Sequence, residues 1–167
     1  RPMKRLALMT LALVLAAAPA VQAADPMDPQ LKEKARRAID AGLHFLREQQ
    51  ADDGSLSKSV GITSLALRGF LESHRGYNEA DGPFVTRQVD FIVSKVNPDG
   101  SISESLQNRS YNTAVALVAL AATKNPKYAD VIANGQKYLK GHQIDEGEGY
   151  EKDHRYYGGL GYGGDER

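Results

Sequence analysis

The sequence contains no cysteine and no tryptophan among its 167 residues. Without cysteine, no disulfide can stabilise the chain, so its stability must come from a packed core. The same absence excludes a thiolate as nucleophile, redox centre or zinc ligand. It also excludes attachment of a lipid to a cysteine at an N-terminal cleavage site.

The chain has little sequence apolar enough to cross a membrane. An uncharged apolar run, Leu6 to Ala18, follows Lys4 and Arg5 and precedes the small residues before Ala23. This run is shorter than the roughly 20 residues of a spanning helix and is typical of a secretory signal peptide. We therefore expect a signal peptide over residues 1–23, cleaved after Ala23, and export to the periplasm or the extracellular space. After cleavage we expect no integral membrane segment.

Excess charge of one sign is also lacking, with 21 basic and 21 acidic residues. Cleavage after Ala23 removes three basic residues and no acid, which leaves 18 basic residues against 21 acids, a net charge of about −3. A nucleic-acid interface needs clustered positive charge. We therefore expect no nucleic-acid partner.

Helical signals dominate the rest of the chain. Residues 24–34 form a linker and the start of a helix, because two prolines this close to each other cannot lie inside one. Apolar residues three and four positions apart then predict helices over about 29–50, 63–74, 84–95, 112–123 and 127–140. No stretch alternates apolar and polar residues as a strand does, so we predict an all-α fold. The fourth helix is apolar almost all round, and we expect it to be buried on most sides.

The same pattern occurs three times. An aromatic residue precedes a turn glycine by nine positions, the aromatic residues lie 46 and 47 positions apart, and a glutamine follows the aromatic by five positions in the first and third units. A hairpin of helices cannot cover its own apolar stripe, so this period predicts stacked helical hairpins. The residues of this motif are Phe45, Gln50 and Gly54, then Phe91 and Gly100, then Tyr138, Gln143 and Gly147.

This motif resembles the "QW" repeat of squalene–hopene cyclases and protein prenyltransferase β-subunits. Small residues three before the aromatic, Gly42 and Gly135, and the aliphatic residues Leu46 and Leu139 extend the resemblance. It departs at the tryptophan position, where the chain has Leu56, Ile102 and Gly149. The resemblance implies an α/α toroid, a double ring of helices around a central cavity.

A complete ring of this kind takes about six hairpins. Residues 35–167 are therefore expected to form the first two to three hairpins of an incomplete ring. We expect the chain to be the N-terminal portion of a longer protein.

The catalytic and zinc-binding motifs of these families are missing from the sequence. The resemblance to squalene cyclases implies an Asp-x-Asp-Asp run, and the resemblance to prenyltransferases implies a zinc site of Asp, Cys and His; neither is present. Asp52 and Asp53 are interpreted as acids that end a helix at a turn. The sequence therefore leaves open whether the protein is an enzyme.

Functional groups are concentrated after residue 144. Aromatic residues among glycines offer an apolar face and a hydroxyl, so we predict a ligand-binding wall; the alternative is a long loop packed by its own aromatic residues. Nearby acids are interpreted as solvated, because their spacing is not that of a calcium loop. We therefore expect no metal and no cofactor. The predicted ligand-binding residues are Tyr150, His154, Tyr156, Tyr157 and Tyr162.

Three functions remain open. The first is an exported toroid that binds a small molecule, a glycan or a protein in its central cavity, without family chemistry in this portion. The second is a terpene cyclase-like or prenyltransferase-like enzyme whose catalytic acids lie beyond residue 167. The third is a polysaccharide-active toroid enzyme, which needs paired carboxylates along the cavity.

Overall fold

The computed structural model of the chain describes residues 27–163. The predicted signal peptide over residues 1–23 and its cleavage after Ala23 lie outside these residues. The chain divides into two compact units, Arg1–Glu33 and Lys34–Arg167. In the first unit the described residues begin a helix at Pro29, where the Asp28 carboxylate accepts a hydrogen bond from the Gln30 amide at 2.9 Å.

The described residues are helical, in agreement with the all-α prediction. Within residues 27–163 no named strand occurs, and only isolated bridges connect extended segments. No helix in this part of the chain has the length and apolar character needed to cross a membrane. The five α-helices are α1 (Pro29–Glu48), α2 (Val60–Glu72), α3 (Pro83–Val93), α4 (Arg109–Ala122) and α5 (Ala129–Lys140), with short 3₁₀ helices at Glu79–Asp81, Pro126–Tyr128 and Glu146–Glu148.

The core lies between α2 and α4, which pack against each other, with α3 and α5 covering them from outside. Leu67 of α2 and Leu120 of α4 are fully buried, as is Ile92 of α3. The first helix adds less, since Leu43 is its one buried residue. We call α2 and α4 the inner helices and α1, α3 and α5 the outer helices.

The prediction that α4 is buried on most sides needs one correction. Its residues facing α2 and the outer helices are buried, but Tyr111 and Val118 are 37% and 46% exposed. These two residues lie seven positions apart, so they share one face of the helix.

An ion pair connects α1 to the segment that follows α2. The Arg75 guanidinium donates two hydrogen bonds to the Asp40 carboxylate, at 2.9 and 2.6 Å. His74 Nε2 lies 3.2 Å from the same carboxylate. The hydrogen bonds from Arg75 lower the pKa of Asp40 below its usual value. This ion pair adds a polar contact to the small apolar contact of α1.

Two buried threonines accept hydrogen bonds from the segments that precede the inner helices. Thr63 Oγ1 accepts a hydrogen bond from the Leu56 amide at 2.9 Å, and Thr113 Oγ1 accepts one from the Ile102 amide at 2.9 Å. Each hydroxyl donates to the carbonyl four residues earlier, at 2.7 Å. The two threonines are therefore equivalent positions of α2 and α4, and each fixes the segment that precedes its own helix.

We predict that Thr63→Val and Thr113→Val each lower the free energy of unfolding by about 1–3 kcal/mol, because each leaves a buried amide without its acceptor. Thr86→Val, at a half-buried position of α3, is the control and should change stability by less than about 0.5 kcal/mol. Urea unfolding followed by circular dichroism measures all three. Equal stability of Thr63→Val and the unchanged chain would contradict this role of the hydroxyl.

Candidate functional site

Three turns join an outer helix to the segment that follows it, and they share one hydrogen-bond pattern. In each turn the amide of the first residue donates to a carbonyl beyond the glycine, and the amide of the glycine donates back to the first residue. These six bonds are 2.7 to 3.0 Å long. The pattern joins Ala51 with Gly54 and Ser55, Asn97 with Gly100 and Ser101, and Ile144 with Gly158 and Gly159.

The turn glycine of the third unit is therefore Gly158, and the sequence-based placement of Gly147 at this position is corrected. Gly54, Gly100 and Gly158 have φ of +86°, +88° and +79°, a backbone conformation that favours glycine. Gly147 instead lies in a 3₁₀ turn, where its amide donates to the Asp145 carboxylate at 2.8 Å.

Because the third turn closes at Gly158, the residue at the tryptophan position of the third unit is also different from the one predicted. Leu160 bridges to Gln143 as Ile102 bridges to Val96. Leu160 therefore replaces Gly149 in that role. In the first two units the aliphatic residues at this position, Leu56 and Ile102, are buried at 4% and 0% exposure.

The glutamines of the repeat motif donate hydrogen bonds to the turns. Gln50 Nε2 donates to the Gly54 carbonyl at 3.0 Å, and Gln143 Nε2 donates to the Gly158 carbonyl at 3.0 Å. Gln50 also donates to the Phe84 carbonyl at 3.1 Å, which ties the first turn to α3. In the second unit Val96 stands at this position, and Asn97 Nδ2 donates to the Ser103 carbonyl at 3.2 Å instead.

Thirteen residues, 145–157, replace the two residues between Ala51 and Gly54 of the first turn. This inserted loop carries four of the five predicted ligand-binding residues. The rings of Tyr150 and His154 lie 4.5 Å apart, and those of His154 and Tyr156 lie 5.7 Å apart. Tyr156 and Tyr157 also line a cleft of about 380 Å³. The structure therefore brings these four residues together on one loop.

Tyr157 closes this loop on itself. Its hydroxyl donates to the Glu146 carboxylate at 2.5 Å. This hydrogen bond raises the pKa of Tyr157 to about 12. It also lowers the pKa of Glu146 below its usual value. Part of the aromatic cluster therefore packs the loop itself, which is the alternative that the sequence left open.

Tyr162, the fifth predicted residue, lies apart from the loop cluster at the start of α4. Its ring stacks on that of Tyr111 with centroids 5.5 Å apart and planes at 19°. Its carbonyl accepts hydrogen bonds from the Ser110 and Tyr111 amides, at 2.9 and 3.4 Å. Tyr162 therefore completes the N-terminus of an inner helix, whose first amides have no partner within the helix.

The acids of the loop do not gather around a cation position. No group of three or more His, Asp or Glu residues among residues 27–163 is arranged to hold a metal ion. Glu146 is engaged with Tyr157, and Asp145 caps the 3₁₀ turn. Asp53 accepts hydrogen bonds from the hydroxyl and the amide of Ser55, at 2.6 and 3.0 Å, as a turn acid does.

Sequence reasoning missed a pair of residues on the inner helices. Because Thr63 and Thr113 are equivalent, Leu65 and Val115 occupy the same face of α2 and α4. Leu65 is 47% exposed, and Val115 is half-buried. Leu65 lines a cleft together with Ile39 of α1 and Arg68 of α2. The signal was available in "TSLAL" and "TAVAL", where both residues stand two positions after the threonine.

The comparisons point to one kind of relative. The lanosterol synthase of Saccharomyces cerevisiae is 33% identical over 132 residues, which cover 70% of this chain and 18% of that protein. The lanosterol synthase of Homo sapiens is 28% identical over 131 residues, which cover 68% of this chain and 18% of that protein. The chain thus spans about a fifth of the length of these curated relatives. No family profile and no solved structure matches it. The chain is therefore similar to part of a terpenoid cyclase.

The first turn glycine lies against the next outer helix. A Cβ atom at Gly54 would be 2.2 Å from the backbone of Arg87, whereas at Gly149, which also has positive φ, no described atom lies within 4 Å. We predict that Gly149→Ala costs about 1–2 kcal/mol for its backbone conformation alone. Gly54→Ala should cost about 1–3 kcal/mol more, because the backbones must move apart. Chemical unfolding measures both variants, and equal costs would contradict this close approach.

The hydrogen bond between Tyr157 and Glu146 predicts a late-titrating tyrosine. In the folded protein the pKa of Tyr157 is raised to about 12, against about 10 for an unfolded chain. The stabilisation by this bond is therefore complete below pH of about 10 and is lost as the pH rises through about 12. Titration of tyrosine labelled with ¹³C at Cζ should show this, and Glu146→Gln should bring the pKa of Tyr157 back toward 10.

Two comparisons control that titration. Glu151→Gln removes a charge of the same loop but not the acceptor, so Tyr157 should still titrate late. Tyr128 donates to Glu79 at 2.6 Å, and burial and this bond raise its pKa. It should titrate late in every variant. A Tyr157 that ionises normally in the unchanged chain would contradict the contact.

Proposed function

We propose that this chain forms part of an exported α/α toroid that binds an apolar, triterpenoid-type ligand in the cavity lined by its inner helices. The observation that carries the proposal is the incomplete burial of Leu65 and Val115, equivalent apolar residues of α2 and α4. An apolar wall with few polar groups is the usual lining of a small-molecule site. Export is proposed from Lys4, Arg5 and the apolar run that follows them.

The similarity to lanosterol synthases supports the class of ligand. Both relatives are named for making lanosterol, a large and mostly apolar molecule. Such a ligand is recognised chiefly by shape and by burial of its surface, at about 25 cal/mol for each Å². Aliphatic residues on a rigid pair of helices suit that recognition better than the acids of the inserted loop do.

The helical hairpins support the ring arrangement. Equivalent turns, equivalent threonines and one packing scheme recur between successive hairpins. Repeating units that each rotate by a similar angle generate a curved stack with an inner and an outer layer. The inner helices of this stack would then line the cavity.

A terpenoid cyclase is the second candidate, and the comparisons favour it. Cyclisation needs an acid that protonates the substrate, and the sequence has no Asp-x-Asp-Asp run. This function would therefore require acids contributed by residues outside this sequence. The polysaccharide-active alternative gains no support, because Glu148 and Glu151 lie on the inserted loop rather than on the inner helices.

We predict that the chain binds tritiated lanosterol saturably and that Leu65→Asp weakens this binding at least tenfold. A carboxylate at position 65 would have to lose its hydration when the ligand binds against α2. Leu65 is 47% exposed, so the substitution should leave the fold intact. Equilibrium dialysis measures the affinity, and Ala133→Asp on the exposed side of α5 is the control, with unchanged binding expected.

Two results would contradict the ligand class. One is the absence of saturable binding in the unchanged chain. The other is equal affinity of the Leu65→Asp and Ala133→Asp variants, since binding would then take place away from the inner helices.

A further inference from the structure

We propose that a polar cleft between the second turn and α5 binds a neutral sugar. The cleft has a volume of about 500 Å³, which lies within the range of small-molecule sites. One wall is the turn over residues 96–100, and the other is the C-terminal half of α5 with the two residues that follow it, Gly141 and His142. Because α5 is an outer helix, this site is separate from the inner helices on which the proposed function rests.

The two walls of the cleft come from successive hairpins that contact each other directly. Gly100, at the end of the first wall, lies against α5, since a Cβ atom at this glycine would be 2.7 Å from the Asn134 carbonyl oxygen. Asn134 in turn belongs to the second wall. The cleft is therefore formed on the side of α5 that faces the preceding hairpin, and residues 96–142 supply both of its walls.

The equivalent junction between the first turn and α3 carries larger side chains. The 47-residue spacing of the motif aromatic residues makes Arg87 the equivalent of Asn134, and Ser94 the equivalent of Gly141. Asparagine is shorter than arginine, and glycine has no side chain. These two replacements remove side-chain atoms beside the second turn, where a ligand would lie.

The charged side chains of the cleft have opposite signs, which favours a ligand without net charge. Asp99 lies on one wall and Lys137 on the other. The Asp99 carboxylate is held by the Ser101 hydroxyl at 2.6 Å and by the Arg109 guanidinium at 3.1 Å. A bound anion would lie near this carboxylate and near the negative end of the α5 dipole. A bound cation would lie near the Lys137 ammonium group.

The remaining polar groups of the cleft include both donors and acceptors. His142 Nδ1 lies 2.8 Å from the Tyr138 carbonyl oxygen. A carbonyl oxygen only accepts, so Nδ1 carries the hydrogen and Nε2 of the neutral ring is an acceptor. The Asn134 side chain offers a donor and an acceptor, and Lys137 offers donors. Sugar hydroxyls both donate and accept, so they can pair with all of these groups, while Pro98 adds apolar surface for the carbon-bound hydrogens.

The test titrates the ¹⁵N-labelled chain with glucose, galactose, mannose and N-acetylglucosamine at millimolar concentrations. At least one sugar should cause saturable changes in amide chemical shift, confined to residues 96–100 and 134–142. The blocking variant combines Asn134→Arg with Gly141→Ser, the residues of the equivalent junction. Gly141 has φ of −74°, and a Cβ atom there would make only ordinary contacts, at 3.5 and 3.7 Å, so the fold should persist. This variant should bind the sugar about tenfold more weakly or worse.

Gln136→Arg is the matched control, because it adds the same charge to α5 at an exposed position outside the cleft. It should bind like the unchanged chain. Glucosamine and glucuronate, which carry a positive and a negative charge, should both bind more weakly than the best neutral sugar. The proposal is overturned if none of the four neutral sugars binds saturably or if a charged sugar binds more tightly. Equal affinities of the blocking variant and the control would overturn the assignment to this cleft.

Discussion

The close approach of each turn glycine to the next outer helix is the contact on which the stack depends. At Gly54 and Gly100 the absent side chain lets the turn lie directly on the backbone of α3 and of α5. Any other residue would separate the two backbones and would also strain a turn that needs positive φ. Each of these two turns precedes an inner helix and also contacts the next outer helix. The contact between turn and outer helix therefore sets the spacing of successive hairpins.

The N-termini of the inner helices add a second link between hairpins. The Glu104 carboxylate accepts hydrogen bonds from the Val60 amide and from Asn112 Nδ2, both at 3.2 Å. The Tyr162 carbonyl serves α4 in the same way, and Tyr162 and Glu104 lie two residues after equivalent positions, Leu160 and Ile102. Each inner helix therefore relies on the following unit to satisfy its first amides. A single hairpin would leave these groups without partners, so the hairpins stabilise one another.

Most of the helices could be predicted from signals that lie close together in the sequence. Turn residues around Gly54 and Gly100, proline near the first helical turn and apolar spacing all act within a few residues of one another. The first two turns follow the same short connection, so counting nine residues from Phe45 or Phe91 reaches the right glycine. Packing between hairpins carries no such local signal, and the exposure of Phe45 could not be read from a motif that it shares with the buried Phe91.

The third turn shows why counting fails once a loop is inserted. Nine residues after Tyr138 stands Gly147, but the hydrogen bonds close at Gly158 because residues 145–157 leave the turn and return to it. A sequence signal for this existed: Gly158-Gly159-Leu160 matches Gly54-Ser55-Leu56 in its final aliphatic residue, and Gly147-Glu148-Gly149 does not. The insertion also separates Tyr162 from the other predicted ligand-binding residues. Tyr162 follows the loop and contacts the N-terminus of α4.

The inserted loop lies at one end of the helical stack. The first two turns lead into the inner helices α2 and α4, and the segment after the third turn reaches the N-terminus of α4 through Tyr162, so all three turns lie at one end of the stack. The inserted loop adds polar and aromatic groups at that end, while Leu65 and Val115 are incompletely buried apolar residues of the inner helices. A loop anchored by two backbone hydrogen bonds at its base, from Ile144 to Gly159 and from Gly158 to Ile144, can vary in sequence without disturbing the helices beneath it.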